Sequence, residues 1–451
     1  MHCTIVGARR SGTAAAILAQ KLGFSVFVTE SGPAESCPEA IILIKSGIDV
    51  EFGGHSLKRA LDTDLMISSP GVPPSSPVLS AARQAGIPLI SELEFASRYA
   101  TAPIVAITGT NGKTTTTALT AHLLRAGGFD AIACGNIGVP LAQLVADDLD
   151  RPASDRRVYV AEASSYQLAL CETFHPRVAA ILNITPDHLQ YHGTFDEYVR
   201  AKWKIFQQQT PSDVLILCAD DPYAAEASRH ARSRIEWFSV HPVAAGMYAR
   251  ADDRSIIVVS SNTEVKLMSY TELPLRGVHN VYNSMAAALA ARAFEVTNEN
   301  LRDSLLSFTG VEHRLEHVRI VRGAEYINDS KATNINATWY ALQAFEQPIV
   351  LILGGQADQN NYAMLDDLVR QRCRCIICFG EEAETIFNHF CTSVRCYRTA
   401  TLSEAVECAW SVACEGDIVL FSPACKSFDQ FMNFEHRGQV FKELVHQLPE
   451  C

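Results

Sequence analysis

The sequence predicts an α/β protein with three domains, each built on a mostly parallel sheet. Short apolar segments alternate with helical stretches along the whole chain, which is typical of parallel strands joined by helices. The 451 residues correspond to about three domains of ~150 residues each. Hydrophobic residues make up 48% of the chain and charged residues 20%, so the composition favours folded domains with large cores over disorder.

The first predicted domain, residues 1–93, is Rossmann-like. The segment CTIVGARRSGTAAAILAQKLGFSVFVTES has strand, glycine turn, helix and strand in that order, with Glu30 after the second strand. A dinucleotide-binding unit has this arrangement, but Arg9 stands where such a unit needs a glycine to bring the backbone close to a pyrophosphate. The sequence therefore leaves open a Rossmann-like domain that binds no dinucleotide. A later strand ends in a turn at residues 69–71, at the edge of the sheet where ligands bind.

The second predicted domain, residues 94–309, begins with the segment IVAITGTNGKTT at 104–115. Its first five residues are apolar or β-prone and predict a buried strand, and the next four predict a tight turn. Lys113 then opens a helix that continues through TTALTAHLLRAGG. A helix N-terminus behind a glycine turn presents backbone N–H groups and the positive end of a dipole to phosphates. The central domain is therefore expected to be P-loop-like.

The residues at this turn suit a nucleotide. The Lys113 ammonium can reach the outer phosphates, and the Thr114 hydroxyl can bind Mg²⁺. The spacing differs from the usual phosphate-loop pattern, because Ile107 takes the place of the first glycine. An ordinary strand–helix turn with a surface lysine is the alternative, and the residue types and their context favour ATP binding with magnesium.

Further polar residues of this domain follow predicted strands or open predicted helices. In a parallel sheet such positions gather along one edge, so several of them near a phosphate loop indicate a site. They are Asn136, Glu162, Asp187, His188, His192, Lys202, Asn280 and Asn283. For His188 a helix cap or a core position stays open. Lys202 either points to solvent or reacts with CO₂ to give a metal-binding carbamate, and the residues alone do not justify the second interpretation.

The third predicted domain, residues 310–451, is again Rossmann-like. EYINDSKATN, PIVLILGG, CIICFG and DIVLFSP are apolar strands, each followed by a helical stretch. The junction before it, FTGVEHRLEHV, is charged and rich in turn residues, as a hinge would be.

Charge and apolar patterning exclude several classes of function. The net charge is −12, which argues against nucleic acid as a partner. We see no apolar run as long as a membrane span and no signal-peptide pattern, and we expect a cytoplasmic protein. The 14 cysteines are scattered through apolar segments and are expected to be reduced thiols.

These motifs, in this order, resemble the Mur ligase family, the ATP-dependent ligases of bacterial cell-wall precursor synthesis. The matching pieces are TGTNGKTT, GNIG, EASSYQL, NITPDHL with HG, RAKWKIF, HNVYN and the pattern G-x-x-HR-x-E from Gly310 to Glu316. Together they cover nearly the whole chain. Two C-terminal pieces, NDSKATN at 328–334 and SPACKSFDQFMNFEHRG at 422–438, are similar to the branch that adds D-glutamate.

The resemblance implies a reaction in peptidoglycan synthesis. The carboxylate of UDP-N-acetylmuramoyl-L-alanine attacks the γ-phosphate of ATP, and the amine of D-glutamate then attacks the acyl phosphate, so that an amide, ADP and phosphate are formed. Two magnesium ions would assist. The implied partners are these small molecules, with no nucleic acid and no membrane span, and the protein is expected to act as a monomer. The first domain would then bind UDP rather than a dinucleotide.

The resemblance also implies roles for individual residues. The expected catalytic residues are Lys113, His188 and Lys202. The expected metal ligands are Thr114, Glu162, His188 and a carbamylated Lys202. The nucleotide is expected to contact Gly109, Thr110, Asn111, Gly112, Lys113, Thr114, Thr115, Asn280, Asn283, Arg314, Asp329 and Lys331. The substrates are expected to contact Ser11, Ser31, Ser69, Pro70, Gly71, Asn136, Ser164, Thr333, Ser427, Phe428 and Phe434.

Three positions depart from the pattern of the family. The loop GGQADQNNY at 354–362 lacks the Lys or Arg that members usually place there to hold the glutamate carboxylate, and Lys426 or Lys331 is our candidate to replace it. Arg9 occupies a position that is commonly glycine. Gln190 and Tyr191 stand where Asp-Arg is frequent.

Three other functions stay open at this point. The first is a related ligase that adds a different amino acid. The second is a nucleotide-binding protein without ligase activity. The third is a phosphate-loop hydrolase, which would split ATP without any amino acid.

Overall fold

The computed structural model describes residues 1–151, 154–241, 248–252, 255–260, 263–275, 277–357 and 360–450. It divides into two compact units, one of Met1–Pro274 with Val278–Phe308 and one of Leu275–Gly277 with Thr309–Cys451. The first unit contains two sheets and the second unit contains a third. The predicted α/β class with mostly parallel sheets is confirmed, and no helix in the described ranges is long and apolar enough to cross a membrane.

The N-terminal sheet is parallel throughout, with the order β3-β2-β1-β4-β5. Its strands are β1 (His2–Val6), β2 (Ser25–Thr29), β3 (Asp49–Glu51), β4 (Leu65–Ser68) and β5 (Leu89–Ser91). The helices are α1 (Arg10–Lys21), α2 (Ala40–Lys45), α3 (Leu57–Ala60), α4 (Pro77–Gln84) and α5 (Glu92–Ser97). Because β1 pairs with both β2 and β4, the turns after these three strands lie side by side.

The central sheet has the order β14-β13-β12-β11-β10-β9-β6-β8-β7. Its strands are β6 (Ile104–Thr108), β7 (Asp130–Gly135), β8 (Arg157–Glu162), β9 (Val178–Ile181), β10 (Val214–Cys218), β11 (Arg234–Ser239), β12 (Tyr248–Asp252), β13 (Ser255–Ser260) and β14 (Thr263–Ser269). The strands from β6 to β12 pair in parallel, whereas β13 and β14 add an antiparallel edge.

The helices of the central sheet connect its strands and cover their faces. They are α6 (Lys113–Ala126), α7 (Leu141–Asp150), α8 (Ser165–Ala169), α9 (Leu189–His192), α10 (Phe195–Trp203), α11 (Pro222–His230), α12 (Val278–Arg292) and α13 (Asn298–Ser307). The predicted strand at 104–108 and the predicted helix start at Lys113 are both confirmed. Since β6 lies between β8 and β9, the segments that follow these three strands meet at one edge.

The two sheets of the first unit share one hydrophobic core, in which Cys3 and Phe95 of the N-terminal part belong to the same cluster as Leu141 and Tyr159. Lys21 Nζ also donates to the carbonyl of Ala146 at 2.8 Å. The Glu92 carboxyl is completely buried in this region and accepts a hydrogen bond from Ala142 N at 2.7 Å. Burial raises the pKa of this carboxyl to about 7.

The sheet of the second unit has the order β15-β16-β20-β17-β18-β19. Its strands are β15 (Glu316–Val321), β16 (Ala324–Asn328), β17 (Ile349–Gly354), β18 (Cys373–Phe379), β19 (Arg395–Arg398) and β20 (Ile418–Ala424). All pairs are parallel except β15 with β16. Its helices are α14 (Ile335–Gln343), α15 (Asp366–Arg372), α16 (Ala383–Phe390), α17 (Leu402–Val412) and α18 (Phe434–Gln447).

Candidate active site

The turn between β6 and α6 is a tight loop, and hydrogen bonds to Asn183, a residue that follows β9, hold it in place. Thr110 N donates to the carbonyl of Asn183 at 2.9 Å, and Asn111 N donates to Asn183 Oδ1 at 2.8 Å. Gly112 has a φ of 83°, and a Cβ at this position would lie 2.3 Å from Asn283 Oδ1. Only glycine fits both the left-handed backbone and the contact with Asn283.

The side chain of Lys113 folds back onto this loop. Its Nζ donates to the carbonyls of Gly109 at 3.0 Å and Thr110 at 2.9 Å. A cation is therefore held at the N-terminus of α6, where the helix dipole is also positive. Two positive features at one loop give the site a strong preference for an anion such as phosphate.

Thr114 and Glu162 form a hydroxyl–carboxylate pair beside the loop. Thr114 Oγ1 donates to Glu162 Oε2 at 2.7 Å, and Asn136 Nδ2 donates to Glu162 Oε1 at 2.8 Å. The pair forms because β8 lies next to β6, with Glu162 opposite Ile107. Asn136 joins them from the turn after β7, the next strand along.

These oxygen atoms fit a magnesium ion. Within the described ranges, no group of three or more His, Cys, Asp or Glu side chains forms a metal cage. Mg²⁺ usually takes one or two protein oxygens and completes its shell with phosphate oxygens and water. A hydroxyl and a carboxylate beside a phosphate loop meet that requirement without a cage.

Lys202 is buried directly beneath the loop. Its side chain is 1% exposed, so the interpretation that it points to solvent is wrong. Its Nζ donates to the carbonyl of Gly109 at 2.7 Å and lies 4.7 Å from the ring centroid of Tyr198. Burial, and then the nearby charge of Lys113, hold the pKa of this amine well below its usual value. A lowered pKa favours the neutral, nucleophilic form of the amine, which the carbamate interpretation requires.

His188 lies at the start of the short helix α9, in a left-handed conformation with a φ of 53°. Its backbone N donates to Asp187 Oδ1 at 2.8 Å, and its ring packs 4.9 Å from the ring of Tyr166. Burial lowers the pKa of this imidazole, and Lys113 and Lys202 lower it further against the opposing effect of Asp187. A neutral imidazole can act as a metal ligand.

Asn280 and Asn283 share one face of α12, as their spacing predicts. Asn283 Nδ2 donates to Asn280 Oδ1 at 3.0 Å, and Thr116 Oγ1 donates to Asn283 Oδ1 at 3.2 Å. Because Asn283 also lies against Gly112, both amides belong to the surroundings of the phosphate loop.

At the edge of the N-terminal sheet, the Glu30 carboxylate is used within its own domain. It accepts hydrogen bonds from Ala8 N and Gly32 N, both at 2.9 Å, and from Ser31 Oγ at 3.2 Å. Burial would raise the pKa of this carboxyl, but the hydrogen bonds from Gly32 and Ala8 outweigh it and lower the pKa. Glu30 therefore connects the turn after β1 to the turn after β2.

The predicted turn at 69–71 lies against the turn after β1. A Cβ on Gly7 would lie 2.7 Å from Ser69 Oγ, so glycine is needed for this close approach. Ser69 Oγ is buried and has no hydrogen-bond partner among the described residues. A buried hydroxyl in this state can bond a ligand atom that enters the turn. Ser11 is half-buried in the first turn of α1, directly before Gly12, which also approaches Ser69.

In the second unit, Asp329 is the centre of a buried polar group. Ser422 Oγ donates to its Oδ2 at 2.7 Å, and Leu315 N donates to its Oδ1 at 3.2 Å. Burial raises the pKa of this carboxyl to about 7, although Ser422 and Arg314 act in the opposite direction. Asp329 and Arg314 are thus brought together, although they lie on different segments.

Lys331 and Phe434 are also neighbours in this unit, with Nζ 5.5 Å from the ring centroid. Thr333 is close to Lys331, since its N donates to the Lys331 carbonyl at 2.9 Å. Ser427 is buried and Phe428 is exposed.

The loop at 354–362, which lacks a Lys or Arg, is described in part. Residues 358 and 359 lie outside the described residues, but Gln356 N donates to the carbonyl of Lys426 at 2.9 Å. The described part of that loop therefore lies beside Lys426.

Arg437 is a residue of this unit that sequence reasoning missed. It is fully buried, and its guanidinium donates to the carbonyls of Ser330 at 2.8 Å, Cys425 at 3.0 Å and Lys426 at 3.1 Å. One side chain thus joins the segment that carries Asp329 and Lys331 to the segment that carries Ser427. Its position within the motif NFEHRG was a signal, but a buried arginine cannot be read from a polar helix start.

Comparison with known proteins assigns the chain to a family. Residues 107–291 match the Mur ligase middle domain, and residues 313–425 match the Mur ligase glutamate ligase domain. The UDP-N-acetylmuramoylalanine–D-glutamate ligase of Salinibacter ruber is 45% identical over 99% of this chain and 98% of its own length. The protein of the same name from Koribacter versatilis is 42% identical over 99% and 97%. The chain belongs to the Mur ligase family.

Solved structures of a Mur ligase and of a pseudomurein peptide ligase share this fold. UDP-N-acetylmuramate–alanine ligase from Thermotoga maritima superposes with a TM-score of 0.62 at 20% identity, and the match covers 99% of both chains. A pseudomurein peptide ligase type C from Methanothermus fervidus gives a TM-score of 0.59 at 19% identity, over 99% of this chain and all of that one. At this identity the similarity concerns the fold.

Proposed function

We propose that this Mur ligase forms an amide between the carboxylate of UDP-N-acetylmuramoyl-L-alanine and the amine of D-glutamate, with ATP converted to ADP and phosphate. The relatives named UDP-N-acetylmuramoylalanine–D-glutamate ligase match the chain over almost its full length. The observation that carries the chemistry is the loop at 109–112, where Lys113, the Thr114–Glu162 pair and the buried Lys202 meet around one turn. This grouping suits phosphoryl transfer, which depends on positioning and charge neutralisation.

In the proposed mechanism, Lys113 and the first turn of α6 hold the β- and γ-phosphates of ATP. The substrate carboxylate attacks the γ-phosphorus, and its bond to phosphate replaces the bond to ADP. The D-glutamate amine then attacks the acyl carbon of this mixed anhydride, loses a proton and expels phosphate. Magnesium ions supply charge neutralisation when bound, with Thr114 and Glu162 as ligands of one ion and His188 and carbamylated Lys202 as ligands of a second.

The remaining residues are assigned by the part of the substrates that they would bind. Asn280 and Asn283 would bind the nucleotide, together with Arg314, Asp329 and Lys331. Asn136 and Ser164 would contact the muramoyl-alanine end. The D-glutamate site would be formed by Thr333, Ser427, Phe428 and Phe434, and the uridine site by Ser11, Ser31 and residues 69–71.

Each sheet would form one domain with its own substrate. Residues 1–93 would bind the UDP end, residues 94–309 would bind ATP, and residues 310–451 would bind D-glutamate and complete the nucleotide site. We further propose that the enzyme acts as a monomer in the cytoplasm, where ATP and UDP-linked precursors are available.

Phosphate release with a panel of acceptors tests this function. Mg-ATP and UDP-N-acetylmuramoyl-L-alanine are incubated with D-glutamate, L-glutamate, L-alanine or a diamino acid. Of these acceptors, we expect only D-glutamate to give phosphate release. In Lys113→Ala we expect the rate of release to fall at least about 100-fold, since that ammonium holds the transferring phosphate. Release with another acceptor would assign a sister activity. Release without any acceptor would favour a hydrolase.

A further inference from the structure

His192 is a buried histidine to which the proposed mechanism gives no task. It ends α9, four residues after His188, and its side chain is almost completely covered. Its ring Nε2 lies 3.0 Å from Ser165 Oγ. Ser165 begins α8, so this contact reaches the segment that carries Glu162 and Ser164.

The other contacts of the His192 ring are aromatic. The ring centroid lies 5.3 Å from that of Tyr198, 5.7 Å from Tyr166 and 4.9 Å from Tyr191. Tyr166 in turn packs against His188, with 4.9 Å between the two rings. His192 is thus connected through one ring to the predicted metal ligand His188.

Tyr198 carries the connection to the phosphate loop. Its hydroxyl lies 2.9 Å from Thr110 Oγ1, and its ring lies beneath Lys202 Nζ at 4.7 Å. Thr110 Oγ1 also accepts from Thr185 N at 3.0 Å and donates to the Thr185 carbonyl at 3.1 Å. His192 therefore lies where three segments meet: the loop after β6, the segment after β8 and the segment after β9.

We propose that His192 is a positioning residue whose hydrogen bond to Ser165 fixes the segment of Glu162 relative to the segment of His188. This inference rests on the proposed function, since it assumes that both side chains serve one magnesium–nucleotide complex. The Glu162 and His188 segments follow β8 and β9, which lie on either side of β6, and the contact between His192 and Ser165 joins the two segments directly at the end of these strands. Partners that orient metal ligands commonly affect metal affinity by about 10–100-fold.

Three substitutions, two at His192 and one at its partner Ser165, separate the hydrogen bond from the ring. His192→Gln keeps a nitrogen at about the distance of Nε2 from the backbone and loses the ring. His192→Phe keeps the ring and loses the hydrogen bond, and Ser165→Ala removes the partner. His122→Phe is the control, because His122 Nε2 also contacts a serine hydroxyl, that of Ser307 at 3.1 Å, together with the Ser304 carbonyl at 3.1 Å, and its ring packs on Phe308.

The readouts are the Mg²⁺ concentration for half-maximal binding of a non-hydrolysable ATP analogue by calorimetry, kcat, the KM for D-glutamate and the melting temperature. For His192→Phe and Ser165→Ala we expect the half-maximal Mg²⁺ concentration to rise about tenfold and kcat to fall. The KM for D-glutamate should stay within about twofold. His192→Gln should keep the wild-type Mg²⁺ dependence. His122→Phe should leave the Mg²⁺ dependence, kcat and the KM for D-glutamate unchanged and should lower only the melting temperature, because it loses its hydrogen bonds.

Two results would overturn the proposal. One is an unchanged Mg²⁺ dependence in His192→Phe and Ser165→Ala. The other is a wild-type Mg²⁺ dependence in His192→Phe together with a weakened one in His192→Gln, which would make His192 a packing residue. A wild-type protein that binds the Mg²⁺–nucleotide complex without turning over any acceptor would refute the proposed function instead, and the binding data would still decide the role of His192.

Discussion

Among single residues, Lys202 combines burial with a position beneath the phosphate loop. Burial holds the pKa of its amine well below the usual value, and the neutral form of an amine can attack CO₂. We expect Lys202→Arg to lose at least about 100-fold in kcat, because arginine stays charged and forms no carbamate. ¹³C NMR of protein incubated with ¹³C-bicarbonate should show a carbamate carbon that is absent in the variant. A fully active Lys202→Arg would contradict the carbamate.

The burial of Lys202 marks a limit of sequence reasoning. The turn at 109–112 was predictable because glycines and an apolar strand determine it locally. The burial of Lys202 follows from the packing of α10 under a loop more than ninety residues earlier, as the separation of 93 residues between Lys202 and Gly109 shows. The spacing of Tyr198 and Lys202 on one helix face was the available signal.

Glu92 makes stability depend on pH. Its pKa is raised to about 7 in the folded state from 4.5, so the folded protein holds a proton that the unfolded chain releases. A raised carboxyl pKa lowers stability as pH rises from the unfolded to the folded pKa. Wild type should therefore lose ~2 kcal/mol more than Glu92→Gln between pH 5 and pH 8 in urea unfolding. Parallel pH profiles of the two proteins would contradict this assignment.

Among the elements, the turn that opens α6 depends on Gly112. A Cβ there would meet Asn283 Oδ1 at 2.3 Å, whereas Gly23 has nearly the same φ, 84°, with no atom within 4 Å. Both glycine-to-alanine changes should cost ~1–2 kcal/mol for the left-handed backbone. Only Gly112→Ala should also weaken ATP binding, by about tenfold or more, as measured by calorimetry. Equal ATP affinities for the two variants would show that the contact with Asn283 has no part in the site.

The segment around Lys426 is the second element with a testable role. The described residues of the loop at 354–357 lie beside its carbonyl, and Arg437 fixes the same carbonyl. If Lys426 replaces the cation that the loop lacks, Lys426→Ala should raise the KM for D-glutamate about tenfold, since charge-assisted hydrogen bonds contribute ~1.5–3 kcal/mol. The KM for ATP should not change. An unchanged KM for D-glutamate would exclude Lys426 and leave Lys331→Ala as the next variant.

The elements themselves were largely predictable, because apolar runs and glycine turns are local signals. The strands at 104–108 and 373–379 follow the predicted segments. The contacts that join elements were not predictable in the same way. Asp329 meets Ser422 across 93 residues, and Arg437 meets Ser330 across 107, so these pairs exist only once β16 and β20 are neighbours.

For the molecule as a whole, the sequence predicts three sheets, and the residues that the structure describes form three. The sequence does not predict that the first two sheets share a core. The apolar faces of α1, α5 and α7 do not indicate which element each helix will pack against. The division into domains with separate substrates stays a prediction. It is consistent with the order of the sheets along the chain.

The most direct test of the central claim is the mass of the UDP-linked product. Mg-ATP, UDP-N-acetylmuramoyl-L-alanine and D-glutamate are incubated with the protein, and product and phosphate are measured together. We expect one added glutamate residue per phosphate released, and no product when D-glutamate is omitted. Phosphate without a heavier UDP product, or a product that carries a different amino acid, would contradict it.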